Sequence, residues 1–349
     1  MDRATLLRQY ITKQQAGIEI GPWFNPIAPK RDGFNCLSMD VFDTRTLRER
    51  AAADPHITAP LTDIEDVDLV GSSTELEQVV RDKYPLGSFD YVISSHNFEH
   101  LPNPVRFLQA CSRVLKSGGV ISMAIPDHRM CFDHFRPLTT LTDWLLAYLD
   151  KRERPTPAQI FHQFAYIADY VEGGERRASF PSAWSPDNVV GQAKLKQTYA
   201  DFLTWTESLG EGYLDVHCSV MTPSSFEMLV ADCIHLDLLP LDIIEITAFE
   251  HEFHAHLRVV AEPVAHDEEA HRRRRDTLLR RSRDEEAVMS DRFRALRAER
   301  DTLLDTVERL AAAVHALEAD VGALRDSRSW RLTTPLRWLS STMRRTRAG

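Results

Sequence analysis

Along the first 135 residues, short apolar runs alternate with stretches of helical period, the pattern of parallel strands joined by helical crossovers. Strands are expected at 17–20, 36–39, 66–70 and 89–95. Residues 104–115 follow with apolar positions Val105, Leu108, Cys111, Val114 and Leu115, a helical stripe that Ser117-Gly118-Gly119 should stop. A fifth strand is expected at 120–125. Residues 136–215 are aromatic-rich and irregular in pattern; 223–233 then reads as a helix leading into two strands, 237–248 and 252–260, that form an antiparallel edge. From Met289 the period changes again. A heptad runs with Phe293, Arg300, Val307, Val314 and Val321 at a and Met289, Leu296, Leu303, Leu310, Leu317 and Leu324 at d. Valine at a with leucine at d favours a parallel two-stranded coil; the alternative is an amphipathic helix folded back on the body.

The pattern divides the chain into an α/β domain at 1–262 with an insert at 136–215, a charged helix or coiled coil at 263–325, and a basic amphipathic tail at 326–349. Composition narrows the class. With 43% hydrophobic and 27% charged residues, 14 Gly and 18 Pro in 349 residues, the chain is globular and not collagen-like or wholly disordered. No run of about 18 apolar residues occurs, and residues 1–15 lack the apolar core of a secretory signal, so a cytoplasmic location is expected. Five scattered cysteines without a C-x-x-C pair argue against a disulfide framework and a cysteine zinc site. The net charge is −10, yet residues 325–349 hold seven arginines against one aspartate, leaving −16 on the rest. Such an acidic body repels nucleic acid. The tail alone suits a polyanion or an anionic membrane surface.

Candidate chemistry lies where strands end, because the carboxyl ends of parallel strands open into the ligand crevice. Glu19 and Gly21 close the first strand and lead into a loop with Asn25; Asp40 ends the second; Ser95 and His96 end the fourth; Asp127 and His128 follow the fifth. An Asp at the tip of strand two can accept hydrogen bonds from both hydroxyls of a ribose, although a turn aspartate is the bland alternative. Buried on a strand covered on both faces, Glu19 needs a partner, either a ligand's ammonium or a helix N-terminus.

The ordered set of Glu19-Ile20-Gly21-Pro22 with Asn25-Pro26 and Pro29-Lys30, Asp40, FDYVISSHNFEHLPNP and LKSGGVISMAIPD resembles the Rossmann-like S-adenosylmethionine-dependent methyltransferases. The resemblance covers about 15–135 well and 216–260 more weakly. It departs at the turn, where only Gly21 stands in place of two or three glycines, and at Gly71-Ser72-Ser73, where many relatives carry an acid near the adenine. What it implies is a Rossmann-like methyltransferase sheet that binds S-adenosylmethionine through Glu19, Gly21, Asn25, Asp40, Ser95 and His96. His100 and His128 would serve as proton acceptors, with Asp127 orienting, and His217 is a third candidate. No metal is expected. His96-Asn97-Phe98-Glu99-His100 matches the H-x-x-E-H string of zinc proteases, but it follows a strand directly, and Pro102 and Pro104 deny it a helix. Glu252, His254 and His256 would share one strand face and are read as the polar face of an edge strand, the alternative being metal ligation. The insert's aromatics, Trp144, Phe161, Tyr170, Trp184 and Trp205 among them, either form a sugar-stacking acceptor pocket or pack as a subdomain core.

Residues 327–337, SRSWRLTTPLR, are similar to the tail that ends many bacterial envelope glycosyltransferases and their associated methyltransferases. That resemblance implies methyl transfer to a hydroxyl of a sugar or cell-envelope glycan intermediate in polysaccharide biosynthesis. The heptad leads to the expectation of a homodimer through 289–324, and the tail at 326–349, with Trp330, Leu336, Trp338 and Leu339 among its arginines, to that of a glycosyltransferase partner or a peripheral contact with the inner membrane face. The alternative is an inactive scaffold of the same fold that organises glycosyltransferases through its coil.

Overall fold

The computed structural model describes residues 2–333 and 335 except 56, 182–183, 193, 211–213, 262–266, 288–290 and 334; for 291–297 the backbone alone is described. The chain separates into a body, 1–287, and a C-terminal unit, 288–349.

The body is built on a seven-stranded sheet. In chain order its strands are β1 (Ala16–Ile20), β2 (Asn35–Asp40), β3 (Leu69–Val70), β4 (Phe89–Ser95), β5 (Leu115–Pro126), β9 (Leu241–Phe249) and β10 (Glu252–Val259), and the spatial order is β3-β2-β1-β4-β5-β10-β9. The first five are parallel; β10 runs antiparallel to both β5 and β9. This is the expected Rossmann-like α/β sheet, and its order reverses between β1 and β4, where a crevice must open. Gly17 makes that pairing possible. A Cβ there would lie 2.0 Å from the Tyr91 ring on the neighbouring β4.

Two boundaries differ from expectation for identifiable reasons. Helix α4 (Pro104–Val114), capped by the Asn103 carboxamide on Arg106 N at 3.1 Å, ends before the Ser-Gly-Gly stop because Leu115 already pairs with Phe89 in the sheet. The glycines instead accommodate the register shift that follows, with Gly118 at φ +80°. The third strand shrinks to two residues: Asp68 N still donates to Ser38 O at 2.9 Å, but Ser38 N turns to the Asp68 carboxylate at 2.8 Å and not to a backbone carbonyl.

The final strand pair also needs correcting. β9 is the edge, and β10 lies inside the sheet, so Glu252, His254 and His256 are buried and not a solvated polar face.

The insert is ordered. It carries α5 (Leu141–Leu149), α6 (Pro157–Tyr166), a three-stranded sheet of order β7-β6-β8 (Glu175–Arg177, Ala168–Glu172 and Val189–Gly191) and α7 (Leu195–Glu207). Trp144 leaves it for the main core, its ring 5.7 Å from Phe98 and 6.4 Å from Phe226. Helix α8 (Pro223–His235) is followed, after the last strands, by α9 (Glu268–Glu286), which packs along it: Arg275 donates to Asp232 at 2.9 Å and the Ser224 hydroxyl to Glu285 at 2.7 Å. The domain edge expected at 262 therefore falls after α9. All five cysteines are free and buried.

In the C-terminal unit, α10 (Asp291–Asp326) is a single 36-residue helix, followed by α11 (Arg328–Leu332). Its heptad residues Leu303, Val307, Leu310, Val314, Leu317, Val321 and Leu324 are 44–63% exposed. Met289 and the side chains of Phe293 and Leu296 lie outside the described residues, as does most of the tail from Leu336 on. Among the described residues, no helix is long and apolar enough to cross a membrane.

Candidate active site

A cavity of about 780 Å³ opens at the crevice between the ends of β1, β2 and β4. Its wall includes Gly21, Asp40, Ser95 and His96 of the expected cofactor residues, together with His100 and the stretch 71–74. Gly21 holds φ +61° while its N–H donates to Met39 O at 2.8 Å, so the chain turns tightly against β2. Trp23 does not plug the opening. It sits on the wall, packed edge-on against Phe24 at 4.9 Å.

Asp40 emerges at the tip of β2, and one of its oxygens accepts from Phe42 N at 3.1 Å. Burial raises its pKa against the lowering effect of these loop amides. Ser72 caps a short 3-10 turn, and the hydroxyl residues Ser72, Ser73 and Thr74 line the cavity there.

Glu19 and Asn25 are placed elsewhere. Both oxygens of the buried Glu19 carboxylate are taken by the chain's own loop, from Ile27 N at 2.6 Å and Ala28 N at 2.9 Å, and neither residue is part of the wall. Burial pushes Glu19 up to about 7 even against those two donors. Its partner is neither a ligand ammonium nor a helix terminus but the loop that shapes the rim. Asn25 is exposed on that loop.

Behind the wall residues Ser95 and His96 lies a buried polar node centred on Glu252 in β10, which itself lines neither cavity. Its oxygens receive Arg3 Nε at 2.7 Å and Arg3 Nη2 at 3.0 Å, and pair with His96 Nε2 and His254 Nε2, both at 2.7 Å. Burial alone would raise this carboxyl, but the bonds from His254, His96 and Arg3 outweigh it and hold it well below the usual range. Arg3 also donates to the Ser95 hydroxyl at 2.7 Å, so α1 (Arg3–Leu7) is fastened under the site. His96 is held with φ +48°, the kind of strain that clusters at functional positions.

A second cavity, about 410 Å³, adjoins the first; His96, His100 and Asp215 line both. Glu99, His217, Phe132 and His251 complete much of its wall. Here the sequence expectations divide. His100 Nδ1 stands 3.1 Å from Asp215, and although burial disfavours the charged ring, Asp215, Glu99 and Asp133 together raise its pKa. His128 and Asp127 belong to neither cavity wall. His128 is buried, both ring nitrogens lack a hydrogen-bond partner, and desolvation pushes it down to about 4. Asp127 does not orient it. Its carboxylate is clamped by the Arg129 guanidinium, with Nε at 2.8 Å. The chain turns inward after β5, so these two residues brace the core instead of the rim.

The insert's aromatics are likewise off the walls: Phe161 packs on Phe202 at 5.0 Å and Phe164 on Trp205 at 5.9 Å. Its contribution to the cavities is 153–155, Gln163, 178–179 and 214–215. Asp133 and Arg136 follow Asp127 and His128 along the chain. The structure makes them the support of His217, whose Nδ1 pairs with Asp133; Arg136 grips Asp133 at 2.6 Å and donates to His217 O at 2.8 Å. Glu99 drew attention only as part of a protease-like string; its 2% exposure inside the second cavity was not legible from that string.

Residues 31–123 match the family described as "Methyltransferase domain", a segment that begins within the loop between β1 and β2 and covers less than half of the chain. The match supports a methyltransferase domain over that segment. No curated protein matches the chain. Among solved structures, a SAM-dependent methyltransferase from Methanosarcina mazei shares 14% identity over 75% of this chain and 100% of its own, with a TM-score of 0.38. The PH0226 protein of Pyrococcus horikoshii shares 15% over 73% and 86%, with a TM-score of 0.36. The CcbJ methyltransferase of Streptomyces caelestis shares 12% over 74% and 94%, with a TM-score of 0.37.

Proposed function

We propose that this chain is an S-adenosylmethionine-dependent methyltransferase that holds the cofactor in the larger cavity and the methyl acceptor in the smaller one. The observation that carries this reading is the junction: two cavities of unequal size share His96, His100 and Asp215 at the end of β4. Methyl transfer is an in-line displacement in which the acceptor–carbon bond forms as the carbon–sulfur bond breaks, so donor and acceptor must meet through one opening. Asp40 grips the ribose hydroxyls, and the Ser72–Thr74 hydroxyls face the base. The His100–Asp215 pair receives the acceptor's proton.

The acceptor is a hydroxyl of a sugar or cell-envelope glycan intermediate, a reading supported by the resemblance of residues 327–337 and by a second cavity rich in polar groups. The exposed heptad of α10 pairs with a second copy of the chain, and the arginine-rich tail meets a glycosyltransferase or an anionic lipid surface.

Calorimetry of the full-length protein with S-adenosylmethionine tests the cofactor half, and one cofactor per chain is expected. Absence of heat at millimolar cofactor overturns it. Radiolabelled methyl transfer onto a panel of nucleotide sugars and envelope glycans then identifies the acceptor, with counts in the glycan fraction expected and counts confined to protein or nucleic acid substrates refuting the glycan assignment.

A further inference from the structure

We infer that Glu99, His100 and His217 form a binding site for a divalent first-row transition-metal cation, with its open coordination positions facing the smaller cavity.

Glu99 is the reason to look. The carboxylate is 2% exposed, and neither of its oxygens has a hydrogen-bond donor, a costly state for a buried carboxylate. Three imidazole nitrogens approach Glu99 Oε1 all the same: His96 Nδ1 at 3.6 Å, His100 Nε2 at 3.7 Å and His217 Nε2 at 4.0 Å. These gaps are too wide for N–H···O bonds, which centre near 2.9 Å. They are the separation of donors arranged around an ion, since ligands about 2.0 to 2.2 Å from a tetrahedral zinc stand roughly 3.4 Å apart. The donor atoms of Glu99, His100 and His217 all lie within 4.8 Å of one another.

The surroundings fix these ligands. Asp133 engages Nδ1 of His217, leaving Nε2 for the cation, the carboxylate–histidine support usual behind a metal-bound imidazole. Asp215 stands at Nδ1 of His100 in the same sense. The backbone joins the two halves across more than a hundred residues, because Glu99 O accepts from Cys218 N at 2.6 Å and Ser219 N at 3.0 Å. A second cluster, His96, His251 and Glu252, is geometrically comparable, but Glu252 is already saturated by Arg3, His96 and His254. Two imidazoles and one carboxylate with open positions suit zinc or ferrous iron.

On the methyltransferase reading above, on which this role alone depends, the cation would take the acceptor's oxygen and hold it at the junction with the cofactor cavity; His100 Nε2 is then a ligand, so with the cation bound the acceptor's proton would pass to the Asp215 carboxylate and not to the ring.

The test uses tag-free, chelator-treated full-length protein titrated with ZnCl₂ by calorimetry and with CoCl₂ by visible absorption. One ion per chain is expected at micromolar affinity or tighter. Binding should weaken more than tenfold in E99Q, H217A and the half-exposed H100A, roughly tenfold in D133N, and stay unchanged in H251A. Circular dichroism confirms that each variant is folded. Equal binding by wild type and E99Q, or loss of binding in H251A alone, overturns the site. S-adenosylmethionine binding, measured separately, distinguishes the outcomes: zinc bound without cofactor refutes the methyltransferase reading and leaves the site standing, and cofactor bound without zinc does the reverse.

Discussion

The two cavities meet at three residues and are built in opposite ways. The larger one is made largely of strand ends and turns: a glycine in left-handed conformation tied to the neighbouring β2, one carboxylate on a strand tip held by the loop that follows it, and a row of hydroxyls on a short turn. The smaller one gathers Glu99, His217 and Asp215, with Asp133 behind them, from segments far apart in the chain, and leaves one buried carboxylate without a donor. A crevice for an extended nucleoside needs backbone that can approach closely, and local turns supply that. A chamber that handles a reacting group needs several titratable side chains pressed together, which only distant segments can supply against the cost of their desolvation.

The node that holds His96, a residue of both walls, is where the contrast can be broken most forcefully. Glu252→Ala strands Arg3, His96 and His254 beside a vacated buried site, and removing one partner of a buried charge network is expensive. Because Arg3 is itself about one-third exposed, the expected loss is at the low end, about 3 kcal/mol in urea unfolding. Less than 1 kcal/mol would mean that the Glu252 network does not hold His96 in place. Asp40→Ala should have the next largest effect and act on one side alone. Losing the charged acceptor for two hydroxyls should weaken cofactor binding by about 2 kcal/mol, roughly thirtyfold in Kd by calorimetry, with unfolding unaltered. An unchanged Kd would remove the ribose from the tip of β2.

This difference in construction also decides what could be read in the sequence. Asp40, Gly21, Ser95 and His96 reach the larger cavity because strand ends in a parallel sheet have one meaning, and short apolar runs locate those ends. Glu19 could not be resolved in that way. Its position in β1 was legible, but whether its side chain would meet a ligand or the loop eight residues on depends on how that loop folds back. Asp127 and His128 were misplaced because the direction of the chain after β5 is set by the β10 pairing, which brings Asp127 N to His251 O at 3.0 Å. The burial of β10 was likewise hidden: alternating Glu252, His254 and His256 look like a solvated face until Arg3 and His96 arrive from other parts of the chain. The joining of Glu99 to His217 had no local signal at all.

A smaller effect delimits the chamber from the core behind it. If His128 were reached by the water of the smaller cavity, it would titrate near the ordinary imidazole value; enclosed, it stays neutral down to about 4 because desolvation penalises the cation. The sign follows from linkage. The unfolded chain takes up a proton near 6.5 and the folded chain does not, so the folded state keeps its full stability above 6.5 and loses it as pH falls from 6.5 towards 4. Between pH 7 and pH 5 this one residue should cost about 1 to 2 kcal/mol in urea unfolding. Leucine is close in size and leaves no unpartnered nitrogen, so His128→Leu should match or exceed the wild type at pH 7 and flatten the acid slope by that amount. A slope that H128L does not change would put His128 in contact with solvent and open the chamber wall behind β5.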